Sequence, residues 1–188
     1  PKLESLSLEM TNVSKLDVSK NLRLNALNIA ETRISDLDIS KNENLVRLTA
    51  GHYSGSINVG YHLNGIDLTH NPYLMVVDLA GNQLSSVDVS KNPLLHTLFL
   101  TNNNLTSLDL SANTNMASLM LNHNNMDFAT LPLPKETWTE YWYEQRPLQI
   151  GRRSIAVGSE IDLSARVLRE GTVTTAKVFR QLYDGEPV

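Results

Sequence analysis

Apolar residues recur with one fixed spacing along the first two-thirds of the chain. The spacing is L-x-x-L-x-L, an alternation that puts apolar side chains on one face of a short strand. Six copies begin at Leu3, Leu24, Leu45, Leu74, Leu95 and Met116. Successive copies start 21 residues apart, except for one step of 29 residues between the third and the fourth. The pattern therefore predicts a stack of about six similar coils.

A second unit fills the other half of each period. It reads apolar residue, Asp, apolar residue, Ser or Thr, a variable residue and Asn, and it occurs at 16–21, 37–42, 66–71, 87–92 and 108–113. One short strand cannot bury its apolar face alone, so the coils should stack about 4.8 Å apart around a shared core. This arrangement is a β-solenoid with two short extended stretches per coil.

An asparagine follows the first unit of the later coils, at Asn82, Asn103 and Asn124. We expect its amide to donate to and accept from backbone groups inside the bend, where they would otherwise lack partners. Thr11 and Thr32 take this position in the first two coils, and their hydroxyls could do part of the same work.

The spacing L-x-x-L-x-L-x-x-N-x-L, complete at 95–105, resembles the leucine-rich repeat. The nested 21-residue period with L-D-V-S-K-N resembles a bacterial subclass that includes internalin-like adhesins and surface proteins of Gram-negative gut anaerobes. The resemblance implies a leucine-rich-repeat β-solenoid, right-handed and with little helix, whose parallel concave sheet binds a partner outside the cell. It implies no catalytic residues. Some relatives carry a ladder of cysteines, whereas this chain has none.

Three segments follow from these patterns. Residues 1–133 form the solenoid, 134–150 an aromatic linker, and 151–188 a small β segment that resembles the opening of an immunoglobulin-like module. A full sandwich needs about 100 residues, and the first coil has nothing before it to cover its end. We therefore expect the chain to be part of a longer protein.

The aromatic segment has two interpretations. Its residues could cap the open end of the stack near Leu119 and Leu121, or they could form a platform for a sugar ring. We favour the cap because an exposed end of a solenoid must be covered. The residues concerned are Phe128, Trp138, Tyr141, Trp142 and Tyr143.

The second half-units are nearly uniform, which indicates that the fold fixes them. Each contains an aspartate followed two places later by Ser or Thr, at Asp17, Asp38, Asp67, Asp88 and Asp109. We expect each carboxylate to accept hydrogen bonds from a turn, with nearby lysines offsetting the column of negative charge. A row of calcium ligands is the alternative, but the Gly-rich repeat of calcium-binding coils is missing.

The first half-units differ from coil to coil at the positions that should point outward from the sheet. The fold does not dictate such positions, so they are candidates for binding. An apolar patch rimmed by polar groups is typical of a contact surface, although scattered apolar surface residues are also common. The predicted ligand-binding residues are Met75, Val76, Asp78, His96, Thr97, Phe99 and Met120.

The long step holds eight extra residues within 51–62. Insertions in solenoids map to surface loops and often carry function, but a tolerated loop without function is also possible. Its candidate contact residues are His52, Tyr53, Tyr61 and His62. The two histidines alone make a poor metal site, so we expect no metal and no cofactor.

Composition narrows the functional classes. A net charge of -4 offers little to a phosphate backbone, so we expect no nucleic-acid partner. No apolar run reaches the roughly 18–20 residues that span a bilayer, and no motif of a nucleophile elbow, phosphate loop or metalloenzyme is present. We predict a monomeric, non-enzymatic module of an extracellular or cell-surface protein that binds a protein or glycan. A spacer without a ligand of its own is the alternative.

Overall fold

The computed structural model describes residues 2–52, 62–126, 130–133, 135, 138–143, 168–169 and 172–173. Tyr53, Tyr61 and Phe128 lie outside these residues, as does most of the segment predicted to be immunoglobulin-like. The chain divides into two compact units, Pro1–Gln149 and Ile150–Val188. In the second unit, two strands pair in antiparallel fashion, Leu168–Arg169 (β8) and Thr172–Val173 (β9).

The first unit is built on one parallel sheet whose strands follow one another in chain order. The first six strands are β1 (Ser5–Ser7), β2 (Ala26–Asn28), β3 (Arg47–Thr49), β4 (Val76–Asp78), β5 (Thr97–Phe99) and β6 (Ser118–Met120). No helix occurs among the described residues. The predicted parallel β-solenoid of about six coils is confirmed.

A seventh strand, β7 (Glu140–Trp142), pairs with β6 in the same register as the preceding pairs. From the sequence, this segment is expected to be an aromatic cap or linker rather than a strand of the sheet. Its partly buried Trp138 and Tyr141 pack against the core beneath the last coils, and the Tyr141 hydroxyl donates to the Pro132 carbonyl oxygen at 2.7 Å. The sheet thus extends one strand beyond the leucine-containing repeats.

The core is a continuous column of aliphatic side chains between the two half-units. The middle residue of each strand from β2 to β6 is at most 1% exposed, because period-two alternation turns it inward. The second half-units supply the opposite wall of the same core, with Val18, Ile39, Leu68, Val89 and Leu110.

Asparagines of the second half-unit hold neighbouring coils together. The Asn92 side-chain amide donates to the Leu68 carbonyl at 3.0 Å and to the Asn71 carbonyl at 2.9 Å, both in the preceding coil. The equivalent asparagines at 42, 71 and 113 make the same pair of bonds. Each of these four side chains is completely buried. The result is a ladder that supplies donors to carbonyls that water cannot reach.

The asparagine of the first half-unit also bonds to backbone groups of two coils, at the opposite bend. Asn103 Nδ2 donates to the Leu100 carbonyl in its own coil and to the Leu79 carbonyl in the preceding one, while its Oδ1 accepts from the Leu84 amide. Thr32 Oγ1 donates only within its own coil, to Ile29, at 2.7 Å. The expectation that threonine replaces part of this role is therefore confirmed.

The turns after β1, β2, β4, β5 and β6 each contain a left-handed residue. Met10, Glu31, Asn102 and His123 have φ between 55° and 58°, and Gly81 has φ of 68°. These positions are equivalent in their coils. Gly81 has a second constraint, because a Cβ there would overlap the carbonyl oxygen of His52, where the chain leaves for the insertion. Other residues adopt this conformation in the equivalent turns, so it is the lack of space beside His52 that requires glycine here.

We predict that Asn92→Ala lowers the free energy of unfolding by about 1–3 kcal/mol, because it removes two buried hydrogen bonds between coils and leaves the Leu68 and Asn71 carbonyls with only the bonds from backbone amides of their own turn. Urea unfolding measured by circular dichroism would test this. The matched control is Asn115→Ala. Asn115 is exposed and makes one bond, to the Pro93 carbonyl at 3.2 Å, so its loss should stay within about 0.5 kcal/mol. Equal effects of the two substitutions would contradict the role of the buried ladder.

We also predict that Gly81→Ala destabilises the fold by more than about 1 kcal/mol, because both the positive φ and the His52 carbonyl oppose a Cβ. Gly65→Ala is the control, since nothing lies within 4 Å of the added atom. It should be neutral or stabilising by up to about 1 kcal/mol. Thermal midpoints of the two variants would decide, and a stable Gly81→Ala protein would disprove the predicted clash.

Candidate functional site

The sheet register arranges the outward-pointing side chains into two columns that run across the strands. The first column is formed by residues 5, 26, 47, 76, 97, 118 and 140, and the second by residues 7, 28, 49, 78, 99, 120 and 142. We call the surface made by both columns the outward face. The five middle-position residues between them in β2 to β6 are buried, so the two sides of the sheet are clearly distinguished.

Three large apolar side chains lie next to one another in the second column. Phe99 pairs in register with Asp78 and Met120, and Met120 pairs with Trp142. Phe99 and Met120 are half-buried, and Trp142 is 58% exposed. We call these three residues the apolar stripe. The predicted neighbours Phe99 and Met120 are thus brought together, and the structure adds Trp142.

Trp142 was missed as a candidate site residue because its segment was interpreted as a cap. The signal was nevertheless present in the sequence. Trp138-x-x-Tyr141-x-Tyr143 has the L-x-x-L-x-L spacing with aromatic residues in place of leucines. Tyr141 occupies the inward position, where it packs edge to face with Trp138 at 5.0 Å between ring centroids. This alternation turns Trp142 outward.

The first column and its border contain the remaining predicted residues. Val76 and Thr97 are half-buried neighbours in register. Met75, one residue before β4, is 45% exposed, and His96 is exposed at the equivalent position of the next coil. The His96 amide donates to the Met75 carbonyl at 2.9 Å. All seven predicted residues therefore lie on this part of the outward face or directly at its edge.

Asp78 differs from its neighbours because it is an acidic residue only 8% exposed. Its Oδ1 accepts a hydrogen bond from the Ala80 amide at 3.1 Å. Burial raises the pKa of the Asp78 carboxyl above its ordinary value, and the bond from Ala80 opposes the rise. Among the described residues no basic group pairs with this carboxylate. The outward face thus contains a carboxylate whose charge no described basic group neutralises.

The uniform aspartates of the second half-units behave as turn residues. Oδ1 of Asp88 accepts from the Ser90 amide at 2.9 Å, and the aspartates of the other coils accept from the equivalent amides. Hydrogen bonds from the residue two places on lower the pKa of each of these exposed carboxyls. The carboxylates bond within their own turn. In the described ranges no three residues among His, Cys, Asp and Glu are arranged to hold a metal ion.

His52 and His62 stand at the two ends of the insertion and are in contact. Their rings meet edge to face, with centroids 5.1 Å apart. His52 Nδ1 lies 3.9 Å from the Glu31 carboxylate. Burial, together with the nearby His62, lowers the pKa of His52, while Glu31 opposes this change. The predicted partners Tyr53 and Tyr61 lie outside the described residues, so the insertion itself stays a prediction.

A scan against protein-family models found no match, and a search of curated proteins found none either. Several solved structures are similar to this chain. The functional domain of InlJ from Listeria monocytogenes, which includes a cysteine ladder, is 29% identical, with a TM-score of 0.61 over 68% of this chain. The internalin InlF from the same species is 22% identical, with a TM-score of 0.56 over 70% of this chain.

The chain corresponds to 27% of the length of the InlJ structure and 38% of that of InlF. A complex of TLR13 with single-stranded RNA is also similar, at 24% identity and a TM-score of 0.50 over 66% of this chain. These likenesses identify the fold as a leucine-rich-repeat solenoid of the kind found in internalins. This chain, however, contains no cysteine, and its buried ladders consist of asparagines.

We predict that Asp78→Asn makes the fold more stable at neutral pH. A carboxyl with a raised pKa in the folded state destabilises that state as pH rises above the unfolded pKa, and the loss is complete above the folded pKa. The amide can keep the bond to Ala80 without the buried charge. The stability advantage of the variant should therefore shrink as pH falls toward the ordinary pKa of aspartate. Unfolding free energies measured across that range would show it.

Asp88→Asn is the control, because the pKa of the Asp88 carboxyl is shifted in the opposite direction. Its exposed carboxyl has a lowered pKa, so its charge favours the folded state above the unfolded pKa. The variant should be unchanged or slightly less stable at neutral pH. If the stability of both variants changes with pH in the same way, burial of the Asp78 carboxyl is not what destabilises the unchanged chain.

Proposed function

We propose that this chain is a non-catalytic binding module of a cell-surface or secreted bacterial protein, and that it recognises a protein or a glycan through the outward face of β4 to β7. The observation that carries the proposal is the apolar stripe of Phe99, Met120 and Trp142, which lies on a surface that the repeat does not specify. Large apolar side chains exposed next to one another favour contact with a partner.

The contrast between fixed and variable positions supports this assignment. Inward positions and turn asparagines recur because the stacked core and the buried carbonyls require them. The second outward column instead reads Ser, Asn, Thr, Asp, Phe, Met and Trp from β1 to β7. A spacer without a ligand would have no use for three large apolar residues in adjacent coils. Binding gives them a physical role, because burial of their surface would stabilise a complex.

The comparisons support a binding role at the level of the fold. The similar proteins include internalins and a protein in complex with RNA, and none of these names describes an enzyme. RNA is a poor candidate for this chain, because its net charge is -4 and the outward positions of β4 to β7 contain no lysine or arginine. No helix in the described ranges has the length and apolar character of a membrane span. Extracellular placement rests on the resemblance to internalins.

The test is a screen of the purified chain against glycan arrays and arrays of extracellular proteins, followed by affinity measurements on each hit. We predict that Phe99→Asp combined with Met120→Asp weakens binding at least about tenfold, because charge would replace the centre of the apolar stripe. Circular dichroism and the thermal midpoint would show that the variant remains folded.

A matched control changes two exposed apolar residues elsewhere. Met10 and Leu22 are 78% and 57% exposed and lie in the first coil. Met10→Asp with Leu22→Asp introduces the same charge and removes similar apolar surface, so affinity should stay within about twofold. If the stripe variant binds as well as this control, the outward face is not the binding surface.

A further inference from the structure

Asp78 is an outward residue whose charge the fold does not need. In β2 the equivalent residue is Asn28, whose Oδ1 accepts from the Ala30 amide at 3.0 Å. Asp78 Oδ1 makes the corresponding bond to Ala80 at 3.1 Å. A neutral amide therefore fills the same structural role in the same sheet, and a carboxylate adds only charge.

That charge is unfavourable in the isolated chain. Asp78 is more than nine-tenths buried, and a buried carboxylate without a cationic partner destabilises a fold. The described residues make no hydrogen bond to its second oxygen, Oδ2. A donor from outside the chain that reaches the exposed part of Asp78 could therefore bond to Oδ2 without displacing the bond from Ala80. Groups that cost stability in this way are typical of functional sites.

The surroundings of Asp78 favour a positively charged group. The outward positions of β4 to β7 contain two carboxylates, Asp78 and Glu140, and neither lysine nor arginine. Arg47 on the adjacent strand β3 is in register with Val76 and forms no ion pair with Asp78. Glu140 Oε2 accepts from the Ser118 hydroxyl at 2.7 Å. Phe99 stands beside Asp78 in register, and an aromatic face attracts cations. Carboxylate and ring together suit an arginine or lysine side chain better than an uncharged group.

We propose that Asp78 and Phe99 bind a lysine or arginine side chain of a protein partner, and that Met120 and Trp142 contact apolar residues beside it. This inference rests on the proposed function and names the partner class for the same face. A glycan without a cationic group offers no counterpart for Asp78, so protein is the class that the charge distribution favours. Guanidinium fits best, because it can donate to Oδ2 while its plane lies against the ring.

The probe is a library of random linear peptides displayed on phage and selected on the immobilised 188-residue chain. Selected peptides should be enriched in Lys or Arg next to apolar residues. Synthesised copies should bind Asp78→Asn at least about tenfold more weakly than the unchanged chain, and should lose affinity as salt is added. Asp88→Asn removes the same charge from an exposed turn outside the outward face, so its affinity should stay within about twofold.

Other outcomes separate this inference from the proposed function. One such outcome is that peptides bind the unchanged chain and Asp78→Asn equally but fail to bind the variant with Phe99→Asp and Met120→Asp. That result would overturn the role of Asp78 and leave the outward face as the binding surface. Binding to a glycan array that depends on the stripe but not on Asp78 would do the same. If selected peptides are insensitive to both changes, neither the inference nor the proposed function survives. Asp78→Asn is expected to be more stable, so weaker binding would not reflect unfolding.

Discussion

Buried carbonyl groups at the bends are the constraint on which this structure depends. Each coil reverses direction twice, and both bends place backbone oxygens in an apolar interior where no water can donate to them. An asparagine side chain is compact enough to sit inside the bend and has two N–H donors. Where the coil supplies this residue, the amide joins its own coil to the preceding one. The stacking of the coils and the sheet register follow from these bonds together with the aliphatic core.

The fold places no requirement on which residues occupy the outward face. The inward residues and the ladders stabilise the solenoid, so substitutions in the two outward columns change the surface without changing the fold. Asp78 shows how far this freedom extends, because even an almost fully buried carboxylate occurs at an outward position. Its unfavourable charge is tolerated because stability comes from the many other contacts in the stack. The face can therefore be shaped for a partner.

Much of the fold could be predicted because its strongest signal is periodic. The inward leucines and the asparagines of the first half-unit repeat at 21 residues, and spacing alone predicts their places. The bonds that the second-half asparagines make to the preceding coil are not visible in the sequence, because they depend on how the coils stack. The seventh strand was missed because Trp138, Tyr141 and Tyr143 replace the aliphatic residues by which the repeat is recognised. The burial of Asp78 could not be read from the sequence, since it depends on the side chains of neighbouring coils across the sheet. Phe99 and Met120 could be predicted to be neighbours because their separation is one period.

The long coil shows that the ladder bonds between coils do not depend on how many residues a coil contains. Asn71 donates to the Ile39 and Asn42 carbonyls across 32 and 29 residues, yet its bonds match those of the regular coils in length. Because each ladder bond reaches only the preceding coil, a duplication or loss of one whole repeat preserves every bond on either side of the junction. Such an event would lengthen or shorten the face by one residue in each outward column. Unequal recombination within the gene is thus a direct route to new binding surfaces on an unchanged scaffold.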